Sequence, residues 1–430
     1  MHIVKKTAGE TRNIVKILFI HQNFPGQYKH LAPALAKLGH ECVALTLRVK
    51  EPSDWNGVRV LPYKLPSRDA QNVHPWLVDL DSKVTRGEAC FRAARRMKQD
   101  GFEPDLILAH PGWGESMFLR DLWPNARMGI YCELYHEAEY PHLEFDPEFK
   151  SRDPEIQPLR IRLKNLNNHL HFPMADAGIS PTRFQADTFP AEFRDKITVS
   201  HDGIDTQFST PNPDVTLKLK GHETFTRETE VITFVNRNLE PYRGYHVFMR
   251  ALPRLLKERP NARVIIIGGD EVSYGAQPPK GTTWKQKYKD EVRPQISDED
   301  WARVHFLGRI PHDQFTRVLQ LSRVHVYLTY PFVLSWSLME AMSCSAAIVA
   351  SDTAPVREVI TDGSTGRLID FFAGDDMVDQ VCDLLDDADA LHELGRAARA
   401  LMTSQYDLKS TCLPRQLQWV SDVMDMTPGG

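Results

Sequence analysis

The sequence predicts an α/β protein of two Rossmann-like domains facing across a cleft, and three observations carry that reading. The 430 residues are too many for one hydrophobic core and fit two domains of about 200 residues each. Apolar strand-like runs alternate with helical spacing in two separate series, divided by a polar, proline-bearing stretch. Residues 264–270, VIIIGGD, form an unbroken apolar run ending in a glycine turn, the mark of a strand buried on both faces of a parallel sheet.

The first series opens with an apolar, β-branched strand over 14–20, the loop HQNFPGQ, and a helix over 28–38 stopped by Gly39-His40. Strands follow over 41–47, 105–109, 127–132, 175–180 and 196–200, giving six in a mostly parallel sheet. Residues 205–230 carry Pro211, Pro213 and several Thr and read as the connection between domains. The second series has strands over 231–235, 264–267, 304–307, 324–328, 347–350 and 366–369, with helices over 244–257, 314–321 and after Ser335. Residues 271–300 stand outside the pattern as an insertion beside the cleft, with Tyr274, Gly275, Trp284 and Tyr288 as its distinctive members. The last segment has helical spacing through Leu413, Leu417, Val420 and Met424, with Pro414 at its start. The expected domains are therefore 1–205 and 206–405, with a helix over about 406–430 packing back on the first.

Composition narrows the function classes. Hydrophobic content of 42%, with 29 Pro and 24 Gly, excludes disordered and fibrous chains, and a net charge of −5 gives no pull toward nucleic acid. Lys83, Arg86, Arg92, Arg95, Arg96 and Lys98 crowd one expected helix, and Arg160, Arg162 and Lys164 another. A solvated helix face explains each cluster; an anionic acceptor or a membrane surface is the alternative. Six cysteines without CxxC pairs or zinc-like spacing read as free thiols of a reducing compartment. No apolar run approaches the ~18 residues of a membrane span, and no signal-peptide core is present. A cytoplasmic protein is expected, with peripheral contact at the inner face of a membrane left open by the basic helix.

The chemistry is concentrated in residues 330–344, YPFVLSWSLMEAMSC, a tight turn at Ser335, Trp336 and Ser337 feeding a helix, with Glu340 about one turn in. Free N–H groups and the positive dipole end at such a start suit a phosphate, and a carboxylate just inside can accept from two sugar hydroxyls. The strand ending at Asn236 runs into Arg237 and then Arg243-Gly244, two permanent cations for a diphosphate. Gly268, in the turn after its strand, stands where open α/β sheets place ligands.

Taken in order along nearly the whole chain, these pieces resemble the retaining glycosyltransferases of family 4, which have the two-domain glycosyltransferase-B (GT-B) fold. The resemblance rests on a glycine loop after the first strand, Phe24-Pro25-Gly26-Gln27, and on His201-Asp202-Gly203 where the family has an asparagine-glycine turn. It also rests on Arg237, on Arg243-Gly244, and on a helix-start pair of glutamates of which only the second is present, Glu340. The first falls at Phe332, and HPGWGE at 110–115 and GGDEVSYG at 268–275 set the chain apart as a distinct branch.

The resemblance implies a nucleotide diphosphate-sugar donor, used as a substrate, and a saccharide, lipid-linked or small-molecule acceptor. Arg237 and Arg243 would neutralise the diphosphate, Glu340 would hold the ribose, and the peptide groups of Ser335, Trp336 and Ser337 would meet the diphosphate or donor sugar. The backbone at Arg309-Ile310 would meet the base, and Gly26 and Gly268 would line the donor. No paired-aspartate motif occurs, so neither metal nor cofactor is implied. Front-side retaining transfer asks little of side chains, since the leaving phosphate can take the acceptor proton. A group at the edge of the first domain is still expected, and His110 and Glu133 end neighbouring strands; His136 is weaker. Phe332 cannot accept from sugar hydroxyls, so Tyr330 or the loop around Tyr274 would grip the sugar instead. Two other functions fit the fold: a catalytically silent nucleotide-sugar-binding protein and a nucleotide-sugar epimerase.

Overall fold

The computed structural model describes residues 14–67, 72–137, 142, 144–151, 153–219, 221 and 224–426. The first thirteen residues of the expected first domain and the last four of the expected terminal helix lie outside the described residues.

The first sheet contains β1 (Lys16–Ile20), β2 (Glu41–Thr46), β3 (Ser53–Trp55), β4 (Val58–Pro62), β5 (Leu106–Ala109), β6 (Arg127–Tyr131), β7 (Ala177–Ser180) and β8 (Ile197–Val199). Their order is β3-β4-β2-β1-β5-β6-β7-β8, parallel throughout except for the β3–β4 hairpin. Eight strands stand where six were expected. The extra pair turns at Asn56-Gly57, both with positive φ, the pairing that a tight hairpin demands. Strand order reverses between β1 and β5, so the loops after these two strands meet at the sheet's C-terminal edge.

A short antiparallel ribbon, β9 (Leu217–Lys218) and β10 (Thr224–Phe225), lies within the connection. The second sheet then follows: β11 (Val231–Asn238), β12 (Arg263–Gly269), β13 (Val304–Gly308), β14 (Val324–Tyr327), β15 (Ala347–Ser351) and β16 (Arg367–Ile369). Its order is β13-β12-β11-β14-β15-β16, all parallel, with the reversal between β11 and β14. The helices Tyr245–Glu258 and Gly374–Asp386 cover one face through Phe248, Leu252, Val378 and Val381. The helices His312–Leu321, Trp336–Ser343 and Ala388–Gln405 cover the other through Leu319, Leu338, Met342 and Met402.

The chain returns to the first sheet at its end. Ile204 and Asp407 form a parallel bridge, with Ile204 N–H donating to Tyr406 O and Leu408 N–H to Ile204 O, each at 2.9 Å. The helix Leu413–Asp425 then buries Trp419, Val420 and Val423 with Ile17, Phe19 and Leu108, worth roughly 1.5–3 kcal/mol for each side chain. Pro414 sits in its first turn, where the missing N–H costs nothing. Among the described residues no helix is long and apolar enough to cross a membrane, and the six cysteines are free thiols.

Candidate active site between the two sheets

The second sheet's reversal point builds the donor-side wall. After β11 the chain makes a single 3-10 turn, Pro241–Arg243, closed by Gly244 at φ +68°. A Cβ at Gly244 would stand 2.2 Å from Leu328 Cβ, so only glycine permits this turn against the chain after β14. The contact delivers Arg243 to the loop after β14, where one guanidinium nitrogen donates to Tyr327 OH (3.1 Å), Thr329 Oγ1 (2.7 Å) and Val333 O (3.0 Å). Arg243 is 6% exposed, and its partners among the described residues are these neutral oxygens. The rings of Tyr274 and Phe332 lie 5.3 and 5.8 Å from its guanidinium.

A neighbouring acid, Glu240, is occupied elsewhere. Its carboxylate accepts the backbone N–H groups of Ser273, Tyr274 and Gly275 at 3.1–3.3 Å, which holds Tyr274 over Arg243. Arg237 is exposed at the end of β11, with no hydrogen-bond partner among the described residues.

The helix Trp336–Ser343 starts as expected, and its turn is more self-contained than expected. Ser335 N–H donates to Tyr327 OH (3.1 Å) and Ser337 N–H to Ser335 Oγ (3.3 Å), leaving the Trp336 N–H open to a ligand among the described residues. Glu340 Oε1 is held at 2.7 Å by His312 Nε2, whose ring stacks on Phe208 at 5.1 Å. Arg309 donates to Asn238 and Glu271, while Ile310 packs into the apolar layer beneath. At Gly268 a Cβ would stand 2.7 Å from Leu239, so close packing of β12 against the β11 turn explains that glycine without a ligand.

The first sheet supplies the opposite wall. Gly26 is pressed against His21, whose ring a Cβ would meet at 2.3 Å, and His21 Nε2 donates to Gln27 Oε1 at 2.7 Å. The His21 ring reaches edge-on to His110, 5.3 Å away across the reversal point. His110 is 1% exposed and stacks between Trp113 and Tyr131, at 4.5 and 5.3 Å. Its Nδ1 accepts from Gly112 N–H (3.2 Å), so Nε2 carries the proton and points toward Glu133 Oε2 at 3.7 Å. Burial, and secondarily His21, hold the His110 pKa well below the usual histidine range, so the ring is neutral.

Glu133 keeps 43% of its side chain exposed to the cleft. Enclosure between the walls raises its pKa, and the guanidinium groups of Arg237 and Arg243 pull it back down. His136 stands further along the same loop beside His142, ring centres 5.6 Å apart.

Asp202 ties the walls together. Its Oδ2 accepts from Tyr131 OH and from the Trp336 indole N–H, both at 3.0 Å. Burial raises its pKa from 3.8 to about 7 against the pull of those two bonds. The stability contributed by the neutral carboxyl is therefore complete below pH 3.8 and lost as pH rises through 7. Asp202→Asn, which retains an acceptor oxygen, is expected to exceed the parent in stability above pH 7 by on the order of 2–4 kcal/mol, and to match it at acid pH. Urea midpoints measured at pH 8 and pH 4 in parallel check this; a constant difference would place the effect outside the titration.

Comparison with known proteins identifies the architecture. A family model described as Glycosyl transferase family 4 group matches residues 38–209, and one described as Glycosyl transferases group 1 matches 218–401. The chain belongs to this glycosyltransferase family. It is 32% identical over 168 residues to a phosphatidyl-myo-inositol mannosyltransferase of Mycolicibacterium smegmatis, a stretch covering 38% of each protein. It is 25% identical over 318 residues to a D-inositol 3-phosphate glycosyltransferase of Corynebacterium efficiens, covering 70% of this chain and 68% of that one. The matched stretch is thus well under half of the mannosyltransferase's length.

Sucrose-phosphate synthase from Thermosynechococcus elongatus superposes with a TM-score of 0.73 at 14% identity, over 95% of this chain and 99% of the other. Anabaena HepE, solved in complex with UDP and glucose, does so with a TM-score of 0.65 at 16% identity, over the same shares. The fold is GT-B.

Phe332 stands where the resemblance led to the expectation of a glutamate. It is 8% exposed in an aromatic cluster with Tyr242 and Tyr274, at 5.2 and 5.0 Å. Tyr330, the expected alternative grip, is 4% exposed and donates its hydroxyl to Asp146 Oδ2 at 2.6 Å. Sequence reasoning missed Glu240, Tyr327, Thr329 and His312, and treated Asp202 only as a variant turn residue.

Proposed function

We propose that this glycosyltransferase moves a sugar from a nucleotide diphosphate-sugar to a saccharide, lipid-linked or small-molecule acceptor with retention of configuration. The observation that carries the reading is Arg243, a buried guanidinium bonded among the described residues only to neutral oxygens, which together with Arg237 of the same wall acts on Glu133 of the opposite one. A buried cation without a bonded carboxylate is costly unless an anion completes it, and a diphosphate is such an anion.

In the reaction, the C1–O bond to the diphosphate breaks and the acceptor oxygen bonds to C1 from the same face. The leaving phosphate oxygen takes the acceptor's proton. Arg237, Arg243 and the Trp336 N–H stabilise the charge that leaves. Glu133 reaches the cleft from the other wall and orients the acceptor hydroxyl or the reacting sugar, with neutral His110 behind it as the positioning residue. Glu340, fixed by His312, holds the ribose. The relatives support the substrate classes: HepE was solved with UDP and glucose, and the similar mannosyl- and glycosyltransferases carry phosphatidyl-myo-inositol and D-inositol 3-phosphate in their names.

A first experiment incubates the protein with UDP- and GDP-sugars and with inositol, inositol phosphate and saccharide acceptors, reading released nucleotide diphosphate. Acceptor-dependent release supports the reading. Tight nucleotide binding without release for any pair favours a silent binder, the second reading that Phe332 keeps in view.

Two further outcomes are expected. Turnover survives EDTA, because two fixed cations do the work of a metal; loss of activity restored by magnesium or manganese would count against this. Glu340→Gln weakens nucleotide diphosphate binding by about 1–2 kcal/mol, and the loss shrinks for a 2′-deoxy nucleotide. Equal losses for both nucleotides would reduce Glu340 to a helix-start carboxylate.

A further inference from the structure

The helices Ile156–Lys164 and Leu166–His171, joined at Asn165, lie on the first half with their faces reversed. The inward side carries Asn165, Asn167 and His171, all 3% exposed or less, together with Ile161. Asn165 exchanges hydrogen bonds with the His136 backbone, Asn167 Nδ2 donates to Pro111 O at 2.7 Å, and His171 Nε2 meets Ser116 Oγ at 2.8 Å. Polar bonds therefore dock the pair on the loops after β5 and β6. The outward side is a leucine stripe, Leu159, Leu163, Leu166 and Leu170, at the i, i+4, i+7, i+11 spacing of one helix face. Leu159 and Leu170 are 43% and 46% exposed, and among the described residues none of the four joins an apolar layer of either sheet. A helix on a globular protein ordinarily turns such a stripe inward. The helix Val78–Gln99 packs beside the pair and leaves Val78 and Val84 exposed in its first turns.

Charge decides what the stripe faces. Arg160, Arg162 and Lys164 are exposed and form no ion pair among the described residues, and no acidic residue occurs from Ile156 to His171. Asp153, just before the pair, is occupied in accepting the Ile156 N–H at 3.2 Å. The larger basic cluster of the neighbouring helix is less available, with Lys83 paired to Asp79 and Arg92 to Glu88. A second copy of this chain fits poorly, because a two-fold contact through the stripe would set the three cations of one copy against those of the other. Leucines beside unpaired arginines and a lysine suit the boundary of an anionic bilayer, where the apolar groups enter the headgroup layer and the cations meet phosphates.

We propose that this helix pair docks the protein on an anionic phospholipid surface, with Leu159 and Leu170 inserted and Arg160, Arg162 and Lys164 on the lipid phosphates. Because Asn165 and Asn167 tie the pair to the loops after β5 and β6, docking brings His110 and Glu133 toward the lipid. That bearing on a lipid-linked acceptor rests on the transferase reading; the docking itself does not.

The test is co-sedimentation of the full chain, without donor or acceptor, with vesicles of phosphatidylcholine alone and of phosphatidylcholine mixed equally with phosphatidylglycerol. The protein is expected to pellet with the mixed vesicles, to leave them as salt is raised, and to bind phosphatidylcholine alone about tenfold more weakly. The double variant Leu159→Ser, Leu170→Ser and the double variant Arg160→Glu, Arg162→Glu should each lower partition onto the mixed vesicles about tenfold or more. Their urea midpoints should stay at the parent value, since all four residues are exposed. Absence of binding to the mixed vesicles overturns the proposal, as do equal binding to both vesicle types and parent-like binding by either double variant. So does a dimer in sedimentation velocity that the leucine variant dissolves, which would assign the stripe to a second copy. No readout uses turnover, so failure of the docking and failure of the transferase reading are told apart.

Discussion

Glu133→Gln is expected to slow sugar transfer by roughly 10²–10⁴-fold while nucleotide diphosphate affinity stays within about twofold of the parent. The separation follows from the architecture. The residues proposed for the diphosphate and ribose belong to the second sheet, whereas Glu133 enters from the first, with 43% of its side chain open to the cleft. The glutamine is isosteric, so the loop after β6 should persist, including the 2.7 Å bond from Gln185 to the Glu133 carbonyl. His110→Gln should cost less, because His110 acts on the reaction through Glu133. It should also change the pH dependence of turnover, since the imidazole N–H lies 3.7 Å from the carboxylate that titrates. Single-turnover rates and equilibrium binding, measured on the same preparations, check both. Parent-like turnover in Glu133→Gln would move catalysis elsewhere and leave the first domain supplying only shape.

Arg243→Ala is expected to do two kinds of damage at once. Loss of a charge-assisted diphosphate contact weakens binding by about 1.5–3 kcal/mol. Loss of the donor to Tyr327, Thr329 and Val333 leaves three oxygens of a buried loop without their partner, and costs roughly 1–3 kcal/mol of fold stability. Arg237 separates the two effects, because it is exposed and bonds none of the described residues. Arg237→Ala should weaken nucleotide diphosphate binding with stability unchanged. Arg243→Lys should restore part of the affinity, since lysine supplies charge without the guanidinium fork. Calorimetric affinity and denaturant midpoints for the three variants provide the check; parent affinity in both alanine variants would remove the pair from the site.

The repeated strand-helix alternation made both sheets legible, because parallel strands buried on two faces are apolar without interruption. The hairpin of β3 and β4 escaped because Ser53–Trp55 is short and mostly polar and Val58–Pro62 is interrupted by Arg59, although Asn56-Gly57 carried the signal. The position of Arg237 and Arg243 at the sheet's C-terminal edge was legible, because residues at a strand end stand at that edge whatever the rest of the chain does. Their partners were not: Arg243 meets Tyr327, Thr329 and Val333 across more than eighty residues, and Trp336 meets Asp202 across 134. No local period encodes such meetings. His312 was invisible for the same reason, since its role exists only once two helices bring it within 2.7 Å of Glu340. Gly268 shows the reverse case, a residue flagged for a ligand whose neighbours already account for it.

The polypeptide crosses from one half to the other twice, and the crossings at Ile204 and Asp407 run side by side, zipped by a parallel bridge. Two pins set next to each other make a door hinge, whereas a single strand would make a tether. The motion expected of one half against the other is then a swing about the line through Ile204 and Asp407, with twisting and sliding resisted. The bond from Trp336 to Asp202, two residues from the Ile204 pin, sits beside the hinge line, where a swing displaces it little and it acts as a brace. Clipping the chain before residue 406 would therefore do more than shorten a tail: one pin would be lost together with Trp419, Val420 and Val423, a piece of the frame on which the other half hangs.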